Sequence, residues 1–156
     1  MKKIIFDDPY LKKSTIEDNS FFEQKNHLTY LYNIINNIDF SNNNIIINEI
    51  KKKYSSYKSQ DKLKNKFDKE QHITFDELLN KLYESKLMCY YCNVELLLIY
   101  KNKKETQQWS LERLNNNIGH YNTNTCISCL KCNLQRRTDN FEYFKMGKTL
   151  KINKKL

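Results

Sequence analysis

Hydrophobic residues in the first third of the chain recur at spacings of three and four, which is the period of an amphipathic helix. On this pattern we predict that the first forty residues are largely helical and that the asparagine-rich stretch at 41–44 breaks the pattern. A second helix is predicted to begin near Ile45. The supporting residues are Leu28, Leu31, Ile35 and Ile38 in the first helix and Ile46, Ile50, Tyr54 and Tyr57 in the second.

A third helix is predicted to begin at Thr74. Thr74 and Glu77 have the spacing of a capping box, in which each side chain accepts a hydrogen bond from the other residue's backbone N–H. The buried face of this helix is predicted to consist of Leu78, Leu79, Leu82 and Tyr83. The helix leads directly into the sequence MCYYCN, which contains the first two cysteines.

Three short segments in the second half of the chain have the composition of β-strands. They are VELLLIY (94–100), WSLERL (109–114) and TCISC (125–129). A polar loop (115–124) connects the last two of these segments, and a helix is predicted to begin with LKCNLQRRTDNFEYF (130–144).

The cysteines favour metal ligation over disulfide bonds. Cys89 with Cys92 and Cys129 with Cys132 form two C-x2-C pairs, whose four thiolates would make a closed tetrahedral zinc site. Cys126 has the same spacing from Cys129, but we favour the pair at the strand-to-helix junction, where both sulfurs can point one way. Cys126 is therefore predicted to be a small buried apolar residue.

The sequence has no apolar run long enough to span a bilayer, and MKKIIFDDPY lacks the apolar core of a signal peptide. We therefore expect no membrane association. With unpaired thiols and no secretion signal, the expected location is an intracellular, reducing compartment: the cytoplasm or nucleus, including that of a host cell.

The formal net charge of +9 favours a polyanionic partner, with nucleic acid ahead of an anionic membrane surface. The chain also has no alanine and is rich in lysine and asparagine, a composition typical of AT-rich genomes, which raises lysine whatever the function. The arginines are more informative, because all three fall in the cysteine-bearing part of the chain, at Arg113, Arg136 and Arg137. Arginine binds phosphate through a planar fork of donors that lysine lacks, so all three are predicted to contact nucleic-acid phosphates; a plain helix surface is the alternative for Arg136 and Arg137.

A lysine-rich segment with interspersed aromatic residues spans 51–69. Such a segment is suited to binding a nucleic-acid backbone and stacking on its bases, although a solvated lysine-rich helix or linker explains it as well. The nucleic-acid contacts predicted here are Lys51, Lys52, Lys53, Tyr54 and Tyr57.

Residues 74–145 resemble the HNH (His-Me finger, ββα-metal) endonucleases, and most closely their four-cysteine zinc-containing members. The resemblance rests on a cysteine knuckle, two strands joined by a loop, and a helix that starts with the sequence CN. It implies an α+β fold, with a zinc-stabilised ββα-metal nuclease domain at 71–150. A helical, basic N-terminal region at 1–70 would precede this domain and contact nucleic acid.

The resemblance also implies roles for individual residues. Glu112 and Asn133 occupy the positions that hold a catalytic Mg²⁺ or Mn²⁺, and Asn124 occupies the position of an asparagine that braces the loop. Arg136 lies at a position that is often basic in the family. Arg113 departs from the family pattern, because a general-base histidine usually stands there and arginine is too basic for that role.

His120 lies in the loop just downstream and is the candidate base in place of Arg113. A structural role for His120 is also open, and His27 and His72 receive no role. The leading prediction is a metal-dependent endonuclease acting on DNA. RNA cleavage is a weaker possibility, a homodimer is possible, and the alternative is a non-catalytic zinc module that binds nucleic acid.

Overall fold

The computed structural model describes residue 13 and residues 16–154. This part of the chain contains five α-helices and one two-stranded antiparallel sheet, so the predicted α+β class is confirmed. The elements are α1 (His27–Ile35), α2 (Asn43–Leu63), α3 (Phe75–Glu84), β1 (Trp109–Arg113), β2 (Thr125–Cys129), α4 (Leu130–Arg136) and α5 (Phe141–Lys154).

The helix predicted over the first forty residues is much shorter in the structure. Two short 3-10 helices, Asn19–Phe22 and Gln24–Asn26, precede α1, and residues 1–12, 14 and 15 lie outside the described residues. Ile38 lies beyond the end of α1 and is 46% exposed, so it does not belong to the buried face. Helix α1 ends where Asn37 adopts a positive φ of 55°.

Helix α2 confirms the second predicted helix. It begins after Asn42, whose left-handed backbone conformation (φ of 64°) separates it from the residues before. Ile46 and Ile50 of this helix are completely buried. The same helix continues to Leu63 and therefore carries most of the lysine-rich segment.

Helix α3 has the predicted capping box. The Glu77 N–H donates to Thr74 Oγ1 (3.1 Å), and the Thr74 N–H donates to Glu77 Oε1 (3.0 Å). The three leucines of its predicted face are buried, whereas Tyr83 is 38% exposed and was wrongly assigned to that face.

The segment 94–100 does not form the strand that its composition predicts. Its backbone bonds are divided among several partners: Val94 and Leu96 pair with the turn after α3, and Leu97 pairs with Gln107 and Trp109. Only isolated bridges result, and no ladder forms. Leu96, Leu98 and Ile99 are all buried, so the apolar run fills the core without a regular strand.

Strands β1 and β2 form at the predicted positions, and Glu112 pairs with Cys126 in their register. The helix predicted at 130–144 is divided into α4 and α5. Arg137 ends α4 with a φ of 52°, a left-handed conformation that a helix cannot continue through. Helix α5 then begins at Phe141.

Helix α2 packs on the sheet, so one core joins the N-terminal helices to the cysteine-bearing region. The hydroxyl of Tyr57 accepts a hydrogen bond from the Leu111 N–H (3.0 Å), and that of Tyr54 donates to the Ile73 carbonyl (3.0 Å). The predicted division at residue 70 falls between α2 and α3, within this shared core. Among the described residues, no helix combines the length and apolar character needed to cross a membrane.

Candidate metal centre and basic cleft

Four cysteines from two chain segments meet in a tight cluster. Cys89 and Cys92 lie in the turn after α3, Cys129 ends β2 and Cys132 lies in the first turn of α4. Their sulfur atoms all lie within 4.8 Å of one another, and Cys92 Sγ is 3.8 Å from Cys129 Sγ. Zinc–sulfur bonds of about 2.3 Å in a tetrahedron require sulfur atoms about 3.8 Å apart. The cluster could therefore hold a structural metal ion such as zinc.

Backbone groups support the cluster. The N–H groups of Cys129 and Tyr91 donate to Cys89 Sγ at 3.3 and 3.4 Å, and the Cys132 N–H donates to Cys129 Sγ at 3.3 Å. Such donors favour thiolates over thiols, which is the form that binds a metal. Cys126 lies outside the cluster and is buried, and burial raises the pKa of its thiol to about 12.

A second site is an open cleft of about 530 Å³ between α2, β1, the 115–124 loop and α4. Its basic side chains are Lys53, Lys64, Lys66, Arg113 and Arg137. The other predicted site residues that line it are Tyr57, Glu112, His120 and Asn133. Two stretches that are distant in the sequence, 53–66 and 108–138, therefore converge on one surface.

Glu112 makes a buried ion pair that the sequence did not predict. Its Oε1 lies 3.2 Å from the Arg136 Nη1, and the Glu112 and Arg136 side chains are 5% and 3% exposed. Arg136 also donates to the carbonyl oxygens of Arg113, Leu114 and Asp139. Because its guanidinium is used inside the protein, Arg136 does not face the cleft, in contrast to the expectation that it contacts phosphate.

The Glu112 carboxyl is poorly solvated despite this partner. Burial raises its pKa to about 7, against the opposing effect of Arg136. Its second oxygen, Oε2, is buried and makes no hydrogen bond, although the nearby Tyr91 hydroxyl, which also has no partner, acts to lower the Glu112 pKa. An orphaned carboxylate oxygen of this kind is a position for an ordered water or a cation.

Asn133 supplies an amide oxygen to the same cleft. Its Nδ2 donates to Ser110 Oγ (3.2 Å), an orientation that leaves Oδ1 without a hydrogen bond among the described residues. Carboxylate and amide oxygens are ligands that Mg²⁺ accepts. By donor type, Glu112 Oε2 and Asn133 Oδ1 thus fit a hard divalent cation, with Arg136 as a competing positive charge.

Asn124 holds the loop between the strands. Its Oδ1 accepts from the Asn115 N–H (2.9 Å), and its Nδ2 donates to the carbonyl oxygens of Asn115 and Gly119, both at 3.0 Å. These three bonds fix the loop that presents His120, and Asn124 itself does not line the cleft.

His120 is held by Asp61, a residue that the sequence analysis missed. The imidazole Nδ1 lies 2.7 Å from Asp61 Oδ1, and the His120 N–H donates to Asp61 Oδ2 (2.7 Å). Asp61 is 1% exposed. A signal was present, because Asp61 continues the stripe of Tyr54 and Tyr57 on α2 and so places an acid at a buried helix position.

The lysine-rich segment is only partly directed toward the cleft. Lys53 lies on the face of Trp109, 4.3 Å from the ring centroid, and donates to the Trp109 carbonyl oxygen. Burial lowers the Lys53 pKa to about 7. Lys51 and Lys52 do not line the cleft. The hydroxyls of Tyr54 and Tyr57 are engaged within the core, which differs from the expectation that these residues stack on bases.

His27 has a structural role at the other side of the core. It is fully buried, and its Nδ1 accepts a hydrogen bond from the Leu98 N–H (3.0 Å). This bond supports the irregular 94–100 segment.

Comparisons with known proteins find no matching family model, and neither the curated proteins nor the solved structures include one with significant similarity to this chain. The structure is that of a small α+β protein with a four-cysteine cluster suited to a metal ion.

Proposed function

We propose that this protein is a metal-dependent endonuclease of the HNH type that hydrolyses phosphodiester bonds in DNA. The observation that supports this most is the composition of the cleft. The cleft is lined by His120, whose imidazole is paired with the buried Asp61, by Glu112, whose buried Oε2 makes no hydrogen bond, and by Arg113 and Arg137. These are the groups needed to activate water and to bind a phosphate.

Binding of the nucleic-acid backbone is assigned to the basic residues of the cleft. Arg113 is half-buried and its Nη1 donates to the Asn116 carbonyl oxygen (3.3 Å), so part of its fork is oriented by the loop. Arg137 is exposed at the end of α4. Lys64 and Lys66 extend the positive charge along α2 and the turn that follows it.

His120 is assigned the role of general base. Burial lowers its pKa to about 4, although the Asp61 carboxylate acts in the opposite direction. The imidazole is therefore neutral at pH 7 and can accept a proton, although a pKa of about 4 makes it a weaker base than an unperturbed histidine. Arg113 cannot take this role because its guanidinium stays charged.

Glu112 and Asn133 are the residues that would hold the divalent cation. Bound there, Mg²⁺ or Mn²⁺ would neutralise charge on the scissile phosphate and stabilise the leaving oxygen. The four-cysteine cluster is assigned to a zinc ion that stabilises the fold and takes no part in the chemistry.

A second candidate is a non-catalytic module that binds nucleic acid through the same cleft. The Glu112–Arg136 ion pair favours it, because Arg136 already neutralises the carboxylate that the cation needs. In that case the arginines and lysines of the cleft retain their role and Glu112 is structural.

Cleavage assays on zinc-loaded protein distinguish the two. Supercoiled plasmid, branched DNA and single-stranded RNA would each be incubated with Mg²⁺, with Mn²⁺ or with no added divalent ion. We expect DNA cleavage only with the added ion, and Glu112→Gln should abolish it while retaining zinc. Binding without cleavage under every condition would support the second candidate, and cleavage of RNA alone would correct the substrate.

A further inference from the structure

The geometry points to Asp61 of α2 as a positioning residue that fixes the tautomer and orientation of His120. This inference rests on the proposed function for the role of His120. The contact between the two side chains is itself a property of the fold and can be measured separately.

The first support is the double contact between the two residues. Asp61 Oδ1 meets the imidazole Nδ1 at 2.7 Å, while Asp61 Oδ2 accepts from the backbone N–H of His120 at 2.7 Å. An ionised carboxylate only accepts hydrogen bonds, so Nδ1 must carry the proton. The other nitrogen, Nε2, is then the basic one, and His120 lines the cleft.

The second support is that the backbone is shaped for this contact. A Cβ atom on Gly119 would lie 2.7 Å from Asp61 Oδ2 and 2.4 Å from the Lys66 carbonyl oxygen, both closer than real contacts allow. Glycine at 119 therefore permits the loop to approach α2. Asn124 accepts and donates bonds to the same loop and keeps it there.

The third support is the surroundings of the imidazole. The Tyr57 ring packs on it with centroids 4.9 Å apart, so α2 contacts His120 through two side chains. His72 Nδ1 lies 3.3 Å from Asp61 Oδ2 but makes no hydrogen bond to it. Arg113 and His72 are the other ionisable groups that affect the His120 pKa, and both lower it. Asp61 is therefore the only described group that hydrogen-bonds the imidazole and can select its tautomer.

It follows that α2 supplies part of the site, although it lies in the N-terminal region of the chain. Without the Asp61 carboxylate, the imidazole should no longer be held with its proton on Nδ1. The tautomer that carries the proton on Nε2 then becomes accessible. In that form the nitrogen that lines the cleft can no longer accept a proton.

Nitrogen-15 NMR of the full-length zinc-loaded chain measures the tautomer directly. In the wild type we expect the His120 signal of an Nδ1-protonated, Nε2-unprotonated neutral ring at pH 7. A wild-type His120 ring protonated on Nε2 would overturn the inference. This measurement uses the wild-type protein alone and does not depend on the folding of any variant.

Variants then test the role in the proposed reaction. Asp61→Asn should shift the ring toward Nε2 protonation and lower the cleavage rate at least tenfold without changing DNA affinity. Asp61→Glu should restore part of the Nδ1 protonation and part of the cleavage rate. His72→Asn, which removes the other neighbour of Asp61, should change neither the His120 tautomer nor the rate. An unchanged tautomer and rate in Asp61→Asn at equal zinc content would overturn the inference. The predicted wild-type tautomer in a protein that cleaves no nucleic acid would leave the contact standing and reject the proposed function.

Discussion

The cysteine cluster and the basic cleft share α4 but are assembled in different ways. The cluster takes two local pairs of one residue type, and its four sulfurs are interchangeable in chemistry. The cleft takes residues of many different types from α2, β1, a loop and α4. Cys132 belongs to the cluster and the next residue, Asn133, lines the cleft.

This difference indicates a division of labour. A closed set of four thiolates holds a metal tightly and exposes no open coordination position, so it contributes to folding stability. The cleft is open, and its lining includes Glu112, whose Oε2 makes no hydrogen bond within the described protein and could meet a ligand. Changes in the cluster should therefore alter stability, and changes in the cleft should alter binding or rate.

The largest effect is expected from the cluster itself. Cys132→Ser should lose the bound zinc and much of the tertiary structure, because metal binding contributes folding free energy. The matched control is Cys126→Ser, which lies outside the cluster and should retain one zinc per chain. Elemental analysis and near-ultraviolet circular dichroism measure both. Loss of zinc from Cys126→Ser with retention in Cys132→Ser would reverse the ligand assignment.

The buried ion pair between β1 and α4 should give the next largest effect. Arg136→Met leaves the Glu112 carboxyl buried without a partner, and breaking such a pair costs about 3–5 kcal/mol. Urea unfolding measures the free energy. The double variant Glu112→Gln, Arg136→Met removes the unpaired charge and should recover part of the loss. Equal stability of the wild type and Arg136→Met would show that the pair is unimportant.

The same pair predicts a dependence of stability on pH. Burial raises the Glu112 pKa from 4.5 to about 7, so the folded state holds the proton more tightly than the unfolded state. The stability contributed by Glu112 is full below pH 4.5 and is lost as the pH rises through 7. The loss is up to about 3 kcal/mol, at about 1.4 kcal/mol per pKa unit.

Comparison with Glu112→Gln isolates this contribution, since the other titrating groups are common to both proteins. Burial lowers the pKa values of His27 and His120 to about 4, so their contributions to stability fall as the pH drops below 6.5. These contributions are the same in the wild type and in Glu112→Gln and cancel when the two proteins are compared. A difference in unfolding free energy that does not change between pH 4.5 and 8 would show that Glu112 titrates normally.

The smallest effect is expected for the exposed arginine of the cleft. Arg137→Ala should weaken DNA binding by roughly tenfold and reduce the slope of log affinity against log salt by about 1, the value of one phosphate contact. Lys104→Ala, an exposed cation outside the cleft, is the control and should change neither. Fluorescence anisotropy at several salt concentrations gives both quantities. Equal losses of DNA affinity in the two variants would show that the cleft contributes no more to binding than the rest of the charged surface.

The features that the sequence predicted well are those set by local spacing. The capping box of α3, the two strands and the four-cysteine cluster depend on residues close in the chain or on one repeated residue type. The irregular 94–100 segment was missed because its backbone groups bond to the turn after α3, to residues 107–109 and to the His27 side chain, which composition alone cannot reveal.

The cleft was predicted only in part, since its partnerships are long-range. Glu112 and Asn133 were expected to hold one divalent cation, and nothing in the sequence indicated that their side chains also hydrogen-bond with Arg136 and Ser110. Asp61 was missed because its contact with His120 joins residues far apart in the chain. Tyr57 was predicted both on the apolar stripe of the second helix and as a nucleic-acid contact, and in the structure its hydroxyl bonds the backbone of β1.

The most direct test of the proposed nuclease compares two histidines that flank one carboxylate. His120 and His72 both lie near Asp61, but only His120 lines the cleft. Single-turnover cleavage of plasmid DNA with Mg²⁺ would be measured for His120→Asn and His72→Asn at equal zinc content. The account predicts a loss of about 10²–10⁴-fold for His120→Asn, the usual scale for a general base, and a wild-type rate for His72→Asn. Equal rates for the two variants would contradict it.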